Sequence, residues 1–440
     1  MSNAEIILPS SDTIIILRSE LERHLGRLLL SPGAALTGSL QRRHVTSGLE
    51  LLVTQLEFED VVPNADAWSL LADRVVVMVN HDQHIRCEEM ATICHAGPSQ
   101  TLLCILLDPV DRERMDVCIC ERSSIRRPAR IGLIGPELKW LPEPSAAPVP
   151  FDETTQSRKR DDLRQSRTRG GLGATEHDRS RHLSIAFIGN GGGGSELTRQ
   201  LVATLDPASV TTFDNDAVGY ENLNAMPHAS WRDAKARRNK STVLAQALNR
   251  NQPGLKIRAV PFSITASEAI HIMENSRFDA VFTFADNNTA RLAASWLCRT
   301  TATIHIDCGT LIRHDNNGHR SMRADCRLFE PSQTCIGCSP PMEDLRDALY
   351  DLSAPEHSLK KGRINRWNAT RAGTLHHFNA FACSLTANLF LDYLSGHIQR
   401  SHWIRALWNQ GHLPELTETS LVASDDCPFC RRKTSPNNSQ

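Results

Sequence analysis

Gly189, Gly191, Gly192, Gly193 and Gly194 interrupt an apolar run and lead into a helical pattern. Glycines let a chain turn sharply and let backbone N–H groups approach a phosphate closely. The first turn of the helix that follows adds partial positive charge, which favours an anion there. The next strand-like run ends in Asp214-Asn215-Asp216, where a carboxylate can accept hydrogen bonds from ribose hydroxyls. Further on, Lys240 offers a compact ammonium to phosphates, and Asp286 offers the hard carboxylate oxygen that Mg²⁺ prefers. Cys335-Ile-Gly-Cys338 and Cys427-Pro-Phe-Cys430 each bring two thiolates into one tight turn. Together they complete a closed four-sulfur shell, the pattern of a structural Zn²⁺ with no open position for substrate. Plainer readings stand beside these: Lys240 as a solvated helix lysine, Asp286 as a cap for a helix starting near Asn287, and Asp214 as a loop-stabilising side chain.

These residues need a scaffold, and the pattern around them supplies one. The seven residues from Leu183 to Gly189 read as a buried parallel strand. From Ser195 the spacing of Leu197, Leu201 and Leu205 is helical, and Val210 to Phe213 is a second strand, which makes one βαβ unit. The alternation continues with a helix over 237–251, a strand over 255–262, a helix over 266–275, a strand over 279–286, a helix over 288–300 and a strand over 303–309. The expected fold is α/β: a Rossmann-like open, mostly parallel sheet with helices on both faces, plus a smaller N-terminal α/β module. In such a sheet ligands lie beyond the carboxyl ends of the strands, where Asp214, Asp216 and Asp286 fall. Asn316-Asn317-Gly318 predicts a hairpin turn, 352–373 a polar, basic crossing loop, and 374–396 a long buried helix.

The expected domain order is a module over 1–141, a linker over 142–182, a nucleotide-binding domain with the cysteine pairs over 183–430 and a disordered tail over 431–440. In the first module, Ser10, Ser11 and Asp12 are candidate caps for a helix carrying Leu17, Leu21, Leu25 and Leu29, with strand-like runs at 51–56, 74–79, 101–107 and 115–120. The linker is proline-rich, then densely charged with both signs. With 49 basic and 50 acidic residues, the chain carries no net field that would favour nucleic acid. It contains no apolar run long enough for a membrane span. The N-terminus lacks a basic segment followed by an apolar one, so the expected location is cytoplasmic. An odd count of thirteen cysteines in a chain of this length argues against a disulfide framework.

These motifs, in this order, resemble the ThiF/MoeB superfamily, the bacterial relatives of ubiquitin-activating enzymes. The resemblance rests on GNGGGGS from Gly189, DNDAVGYENLN over 214–224, Lys240 before a helix leading to Asn251-Gln252-Pro253, ADN around Asp286, and the two CxxC pairs. It implies an ATP-dependent, Mg²⁺-requiring adenylyltransferase acting on the C-terminal carboxylate of a small ubiquitin-like or sulfur-carrier protein with a Gly-Gly tail. It also implies a homodimer. Asp214 then corresponds to the family's ribose-binding acid and Asn222 to its nucleotide-contacting asparagine, with Asp216 close by. Lys240 and Asp286 serve the phosphates and Mg²⁺. Arg167, with Arg164 in LRQSR, matches the arginine that the family donates across its dimer, or is an ordinary linker charge. Ala225 stands where the family commonly has an arginine, and Arg232, Arg237 and Arg238 lie near enough in sequence to replace it.

The N-terminal module resembles JAB/MPN metalloprotease-like domains. That family's paired histidines stand one residue apart, whereas His81 and His84 are separated by two, with no matching Ser and Asp downstream. The module is thus read as a metal-free descendant or an unrelated adaptor, with both histidines on a surface loop. Cys308 and Cys326 are candidate thioester nucleophiles or buried core thiols; an enzyme that only adenylates is the reading preferred. Two other functions are compatible with the glycine loop: a non-catalytic nucleotide sensor or scaffold on the same fold, and a dinucleotide-dependent oxidoreductase. The Asp-Asn-Lys-Asp series and the cysteine pairs argue against the second.

Overall fold

Strands with long buried runs build the first unit of the protein, and a parallel set of strands followed by an antiparallel set builds the second. The structure is a computed structural model describing residues 12–31, 34–45, 48–60, 73–80, 101–110, 114–121, 124–141, 155–338, 373–425, 427 and 429–430. His81, His84, the crossing loop up to residue 372 and the tail over 431–440 lie outside these residues. Two compact units divide the chain, Met1–Pro144 and Ser145–Gln440.

In the first unit β1 (Thr13–Leu17) runs directly into α1 (Arg18–Leu30). The expected capping by Asp12 does not occur: Leu17 occupies the N-cap position, and Asp12 precedes a strand and pairs with Arg126 at 3.1 Å. The chain continues through β2 (Ala35–Val45), β3 (Gly48–Glu59), β4 (Arg74–Val79), β5 (Thr101–Leu107), β6 (Met115–Glu121), β7 (Ser124–Arg126), β8 (Arg130–Ile134) and β9 (Lys139–Leu141). These form one nine-stranded sheet in the order β7-β6-β5-β4-β2-β3-β1-β8-β9. Successive side chains of a strand point to opposite faces, and β5 is buried on both. Leu103, Ile105 and Leu107 join the core that receives Leu21, Leu25 and Leu28 of α1. Leu102, Cys104 and Leu106 face a second apolar cluster with Val76, Cys118 and Cys120.

The second unit begins with α2 (Thr155–Leu172) and α3 (Ala174–Ser180). This corrects the linker reading over much of 142–182. Charge of both signs gave no apolar stripe to find, and Arg169 of α2 meets Asp178 of α3 at 3.0 Å across the turn between the two helices. Arg164 and Arg181 converge on buried Asp206 at 2.8 and 3.0 Å, which anchors this segment to the end of the glycine helix. The chain then proceeds through β10 (Ser184–Ile188), α4 (Gly192–Leu205), β11 (Ser209–Phe213), α5 (Trp231–Lys235), α6 (Lys240–Asn251), β12 (Lys256–Val260), α7 (Ser267–Asn275), β13 (Ala280–Thr283), α8 (Asn288–Thr300), β14 (Ile304–His314), β15 (Arg320–Phe329), α9 (His376–Leu394), β16 (His402–Asn409) and β17 (Glu415–Ser420).

The sheet order is β12-β11-β10-β13-β14-β15-β16-β17. The pairs from β12 to β14 are parallel, and β14 to β17 pair antiparallel. This is the open, Rossmann-like α/β sheet expected. Ala186, Ile188 and Val281 pack one face onto Ala290, Ala294 and Leu297 of α8. On the other face Phe187 stacks on Phe282 at 5.1 Å, and Phe390 of α9 meets Phe282 edge-on at 5.0 Å. The hairpin expected at 316–318 joins β14 to β15, and Asp315 accepts the backbone N–H of Asn317 and of His319 at 2.8 Å. The edge strand β17 is exposed along its whole length. Among the described residues no helix is long and apolar enough to cross a membrane.

Three polar groups held away from water, Asp307, His305 and His228, make the stability of this unit sensitive to substitution and to pH. Asp307 is fully buried between Arg291 at 2.8 Å and Arg327 at 3.1 Å. Asp307→Ala leaves two guanidiniums facing each other and is expected to cost about 3–5 kcal/mol in urea unfolding; a cost below about 1 kcal/mol would contradict this account. Burial holds the His305 imidazole, hydrogen-bonded to Thr283 at 2.8 Å, down at about 4, and burial with Arg199 nearby does the same to His228. The folded state thus binds these protons less readily than the unfolded chain does. Their contribution is complete above the ordinary histidine value of 6.5 and is lost as pH falls toward about 4. The urea midpoint is therefore expected to drop across that interval, and less so in His305→Gln.

Candidate functional site

The carboxyl edge of the parallel strands gathers most of the predicted residues. The chain leaves β10 through Gly189, whose φ of +83° lies in the left-handed region. A Cβ there would also stand 2.7 Å from the Phe284 carbonyl oxygen. Packing accounts for three more of the glycines. A Cβ on Gly193 would overlap the Phe284 ring, one on Gly194 would overlap the Gly189 carbonyl, and one on Gly192 would lie 2.6 Å from Ala225 Cβ. Gly191, the N-cap of α4, differs: no described heavy atom lies within 4 Å of the place its Cβ would take. The loop backbone is open to a ligand at that point. From the far side of α4, the Cys383 thiol of α9 donates to the Gly193 carbonyl at 3.3 Å, fixing the helix start from behind.

Asp214, at the end of β11, ties the loop to the next segment. Its Oδ2 accepts the Asn190 N–H at 2.6 Å, and its Oδ1 accepts the Asp216 N–H at 2.8 Å. Burial pushes the Asp214 carboxyl upward, opposed by the Lys240 ammonium and these two amides. Lys240 opens α6, where Asn239 caps the helix by accepting the Thr242 N–H at 3.2 Å. The Asn239 amide donates to the Asp214 carbonyl at 2.7 Å, and Lys240 Nζ lies 2.8 Å from Asp216 Oδ2. Most of the Lys240 side chain is buried, while Asp216 faces solvent. The Asn190 side chain, inside the loop, is fully buried, and neither its Oδ1 nor its Nδ2 has a hydrogen-bond partner.

Asn222 ends a short turn of 3₁₀ helix, Tyr220–Asn222, and accepts the Gly219 N–H at 2.9 Å. Asp286 follows β13, which pairs with β10, and is exposed. It does not cap α8: Asn287 does, accepting the Ala290 N–H at 2.7 Å. Arg167 on α2 is exposed, with no ion pair among the described residues, whereas Arg164 is engaged with Asp206. Ala225 is buried against Gly192. Of its possible substitutes, Arg238 is committed to Asp233 and Gln246, each at 2.6 Å, and Arg232 and Arg237 are exposed. Sequence reading missed Phe284 and Asn239. Phe284 gave no polar signal, and Asn239 is recognisable only as a cap directly before Lys240.

The Sγ atoms of Cys335, Cys338, Cys427 and Cys430 all lie within 4.8 Å of one another. Cys335 sits 3.9 Å from Cys338 and 3.5 Å from Cys427. Hydrogen bonds among the sulfurs pull the Cys338 thiol down and push Cys335 up. Four convergent sulfurs with no open position fit a tetrahedral ion. The knuckle is anchored to α8 through the Ile336 N–H, which donates to Ser295 Oγ at 3.2 Å. In the first unit Cys104, Cys118 and Cys120 also converge within 4.8 Å, as three buried donors among the described residues. Cys308 and Cys326 are cross-strand partners and fully buried, and burial pushes the Cys308 thiol up; both are core thiols, not accessible nucleophiles.

Residues 164–428 match the ThiF family. No curated protein matches the chain. Among solved structures, Escherichia coli MccB is 16% identical with a TM-score of 0.46, over 63% of this chain and 75% of its own. The same enzyme with ATP is 16% identical at a TM-score of 0.45, over 61% and 74%. A structure of PaaA is 11% identical at a TM-score of 0.42, over 61% and 85%.

The glycine contacts give a graded prediction. Gly194→Ala must displace backbone and is expected to cost more than about 2 kcal/mol, whereas Gly191→Ala should stay within about 1 kcal/mol of the native chain. Thermal unfolding of both variants checks this; equal losses would show that packing does not distinguish the two glycines.

Proposed function

The chain belongs to the ThiF family of adenylyltransferases, and from that premise we propose that its second unit joins AMP from ATP to the C-terminal carboxylate of a polypeptide. A carboxylate oxygen of the substrate attacks the α-phosphorus. The bond from that phosphorus to the bridging oxygen of the β-phosphate breaks, and pyrophosphate leaves with the electron pair. No proton needs to move; the barrier is the meeting of negative charges, so catalysis consists of cations and positioning.

One observation carries this reading: the chain of contacts from the glycine loop through Asp214 and Asp216 to the Lys240 ammonium. Phosphates at Gly191 would compete with the exposed Asp216 carboxylate for Lys240. Asp214 and Asn222 would meet the ribose and base side of the nucleotide. Asp286, an exposed carboxylate just past β13, is the residue we assign to Mg²⁺, which would offset phosphate charge when bound. The unpartnered amide of Asn190 supports a loop completed by a ligand. Arg167, exposed on α2, suits donation to a second copy of the chain in a homodimer. The substrate we favour is a small ubiquitin-like or sulfur-carrier protein ending in Gly-Gly. The four-cysteine knuckle would hold Zn²⁺ as a structural ion. A second reading, a nucleotide sensor without catalysis, draws on Ala225, which removes one cation from the family's phosphate contacts.

Exchange of labelled pyrophosphate into ATP tests the site. With a Gly-Gly-terminated partner and Mg²⁺, Lys240→Ala and Asp286→Ala should each lower exchange by about 100-fold or more. Normal exchange in both would remove the site assignment, and nucleotide binding without exchange in the native protein would favour the sensor. Zinc should be found at one equivalent per chain. Its chelation, or Cys427→Ser, should lower the unfolding temperature by at least several degrees; an unchanged unfolding temperature would remove the structural role.

A further inference from the structure

We propose that a cleft bounded by α5, the preceding turn and α6 is a binding site for an oxyanion, separate from the glycine loop. The cleft has a volume of about 190 Å³ and is lined by His228, Arg232, Asp233, Arg238, Gln246 and Arg250, among others. Val243, which also lines it, belongs to an apolar cluster with Val218, Met226 and Ala234.

The charge balance points to a negatively charged ligand, and two properties of His228 make it the reporter. First, the charges do not balance within the cleft. Its one carboxylate, Asp233, is already engaged by Ser230 and by Arg238, whose second nitrogen is held by Gln246. Arg232 and Arg250 have no ion-pair partner among the described residues. Second, both ring nitrogens of His228 are buried and lack a hydrogen-bond partner. A buried donor without a partner is costly, so its persistence calls for a group that supplies one. Third, His228 is a neutral donor at pH 7. Burial, with Arg199 of α4 and Arg250 of α6, holds it at about 4, against the opposing pull of Asp233 on α5 and Glu196 on α4.

Two exposed guanidiniums, Arg232 and Arg250, match an anion with several oxygens, with the His228 ring in the wall beside them. The same set repels a metal cation. Val243 follows Lys240 by three positions on α6, so the cleft begins about one helical turn from the lysine. A phosphate group and a side-chain carboxylate of the polypeptide substrate share the required chemistry. The choice of these two sources rests on the adenylation reading; the cleft's affinity for an oxyanion does not.

The test uses the full zinc-loaded chain with histidine-labelled NMR, the His228 signal being assigned by its loss in His228→Gln. Sodium pyrophosphate is one titrant and N-acetyl-Glu-Glu-amide the other. One of them is expected to raise the His228 pKa by about one unit or more and to bind about tenfold more weakly to Arg250→Ala. Response to pyrophosphate alone assigns a phosphate source, and response to the peptide alone assigns the substrate. A His228 titration indifferent to both overturns the proposal, as does native affinity in Arg250→Ala. Should that variant not fold, Arg250→Gln serves under the same criterion. Lys240→Ala separates this inference from the adenylation reading: it should lose pyrophosphate exchange while keeping the His228 response.

Discussion

The second unit is organised around a single carboxylate. Asp214 accepts two backbone amides, one from the glycine loop and one from the segment leading to Lys240, so one side chain sets the distance between the loop and the ammonium. Its position at the end of a central parallel strand makes this possible, since such ends are where loops from neighbouring strands converge. Burial alone would favour a neutral carboxyl; the nearby Lys240 and the two amides oppose that tendency. The same charge that organises the loop is therefore coupled to the cation proposed to meet the nucleotide.

Around this centre, close packing rather than ligand contact explains most of the glycines. The Phe284 ring and carbonyl occupy the space that side chains at Gly189 and Gly193 would need. The loop is rigid because it is filled from behind by Phe284, Ala225 and Cys383, and it is open at one residue. A preformed cradle of this kind loses little conformational freedom when a phosphate arrives. The buried Asp307, clamped by arginines from α8 and β15, performs a comparable service where the sheet changes from parallel to antiparallel.

Much of this was legible in the residue order. Apolar runs and helical leucine spacing located β10, α4 and β11, and α8 begins and ends where its sequence pattern does. The paired cysteines declared their convergence through spacing alone, although Cys335 and Cys427 stand 92 residues apart. Other features were hidden for physical reasons. The helices at 155–180 were hidden because the first of them is densely charged and has no apolar periodicity. α1 has no polar cap because a buried strand feeds it directly, so Asp12 was misread. The arginine cleft was invisible because its residues come from α6, α5 and the turn before it, and only the unpaired state of His228 marks them as a group.

The exposed outer strand β17 has a consequence for solubility. An outermost strand displays unused backbone donors and acceptors and can template pairing with another chain. Here Glu415 and Glu418 sit on that margin, with threonine and serine filling most of the rest. Two like-charged margins brought side by side would repel. The acidic residues thus act as gatekeepers against strand-mediated aggregation, a task unrelated to nucleotide chemistry but needed wherever an open sheet ends in water.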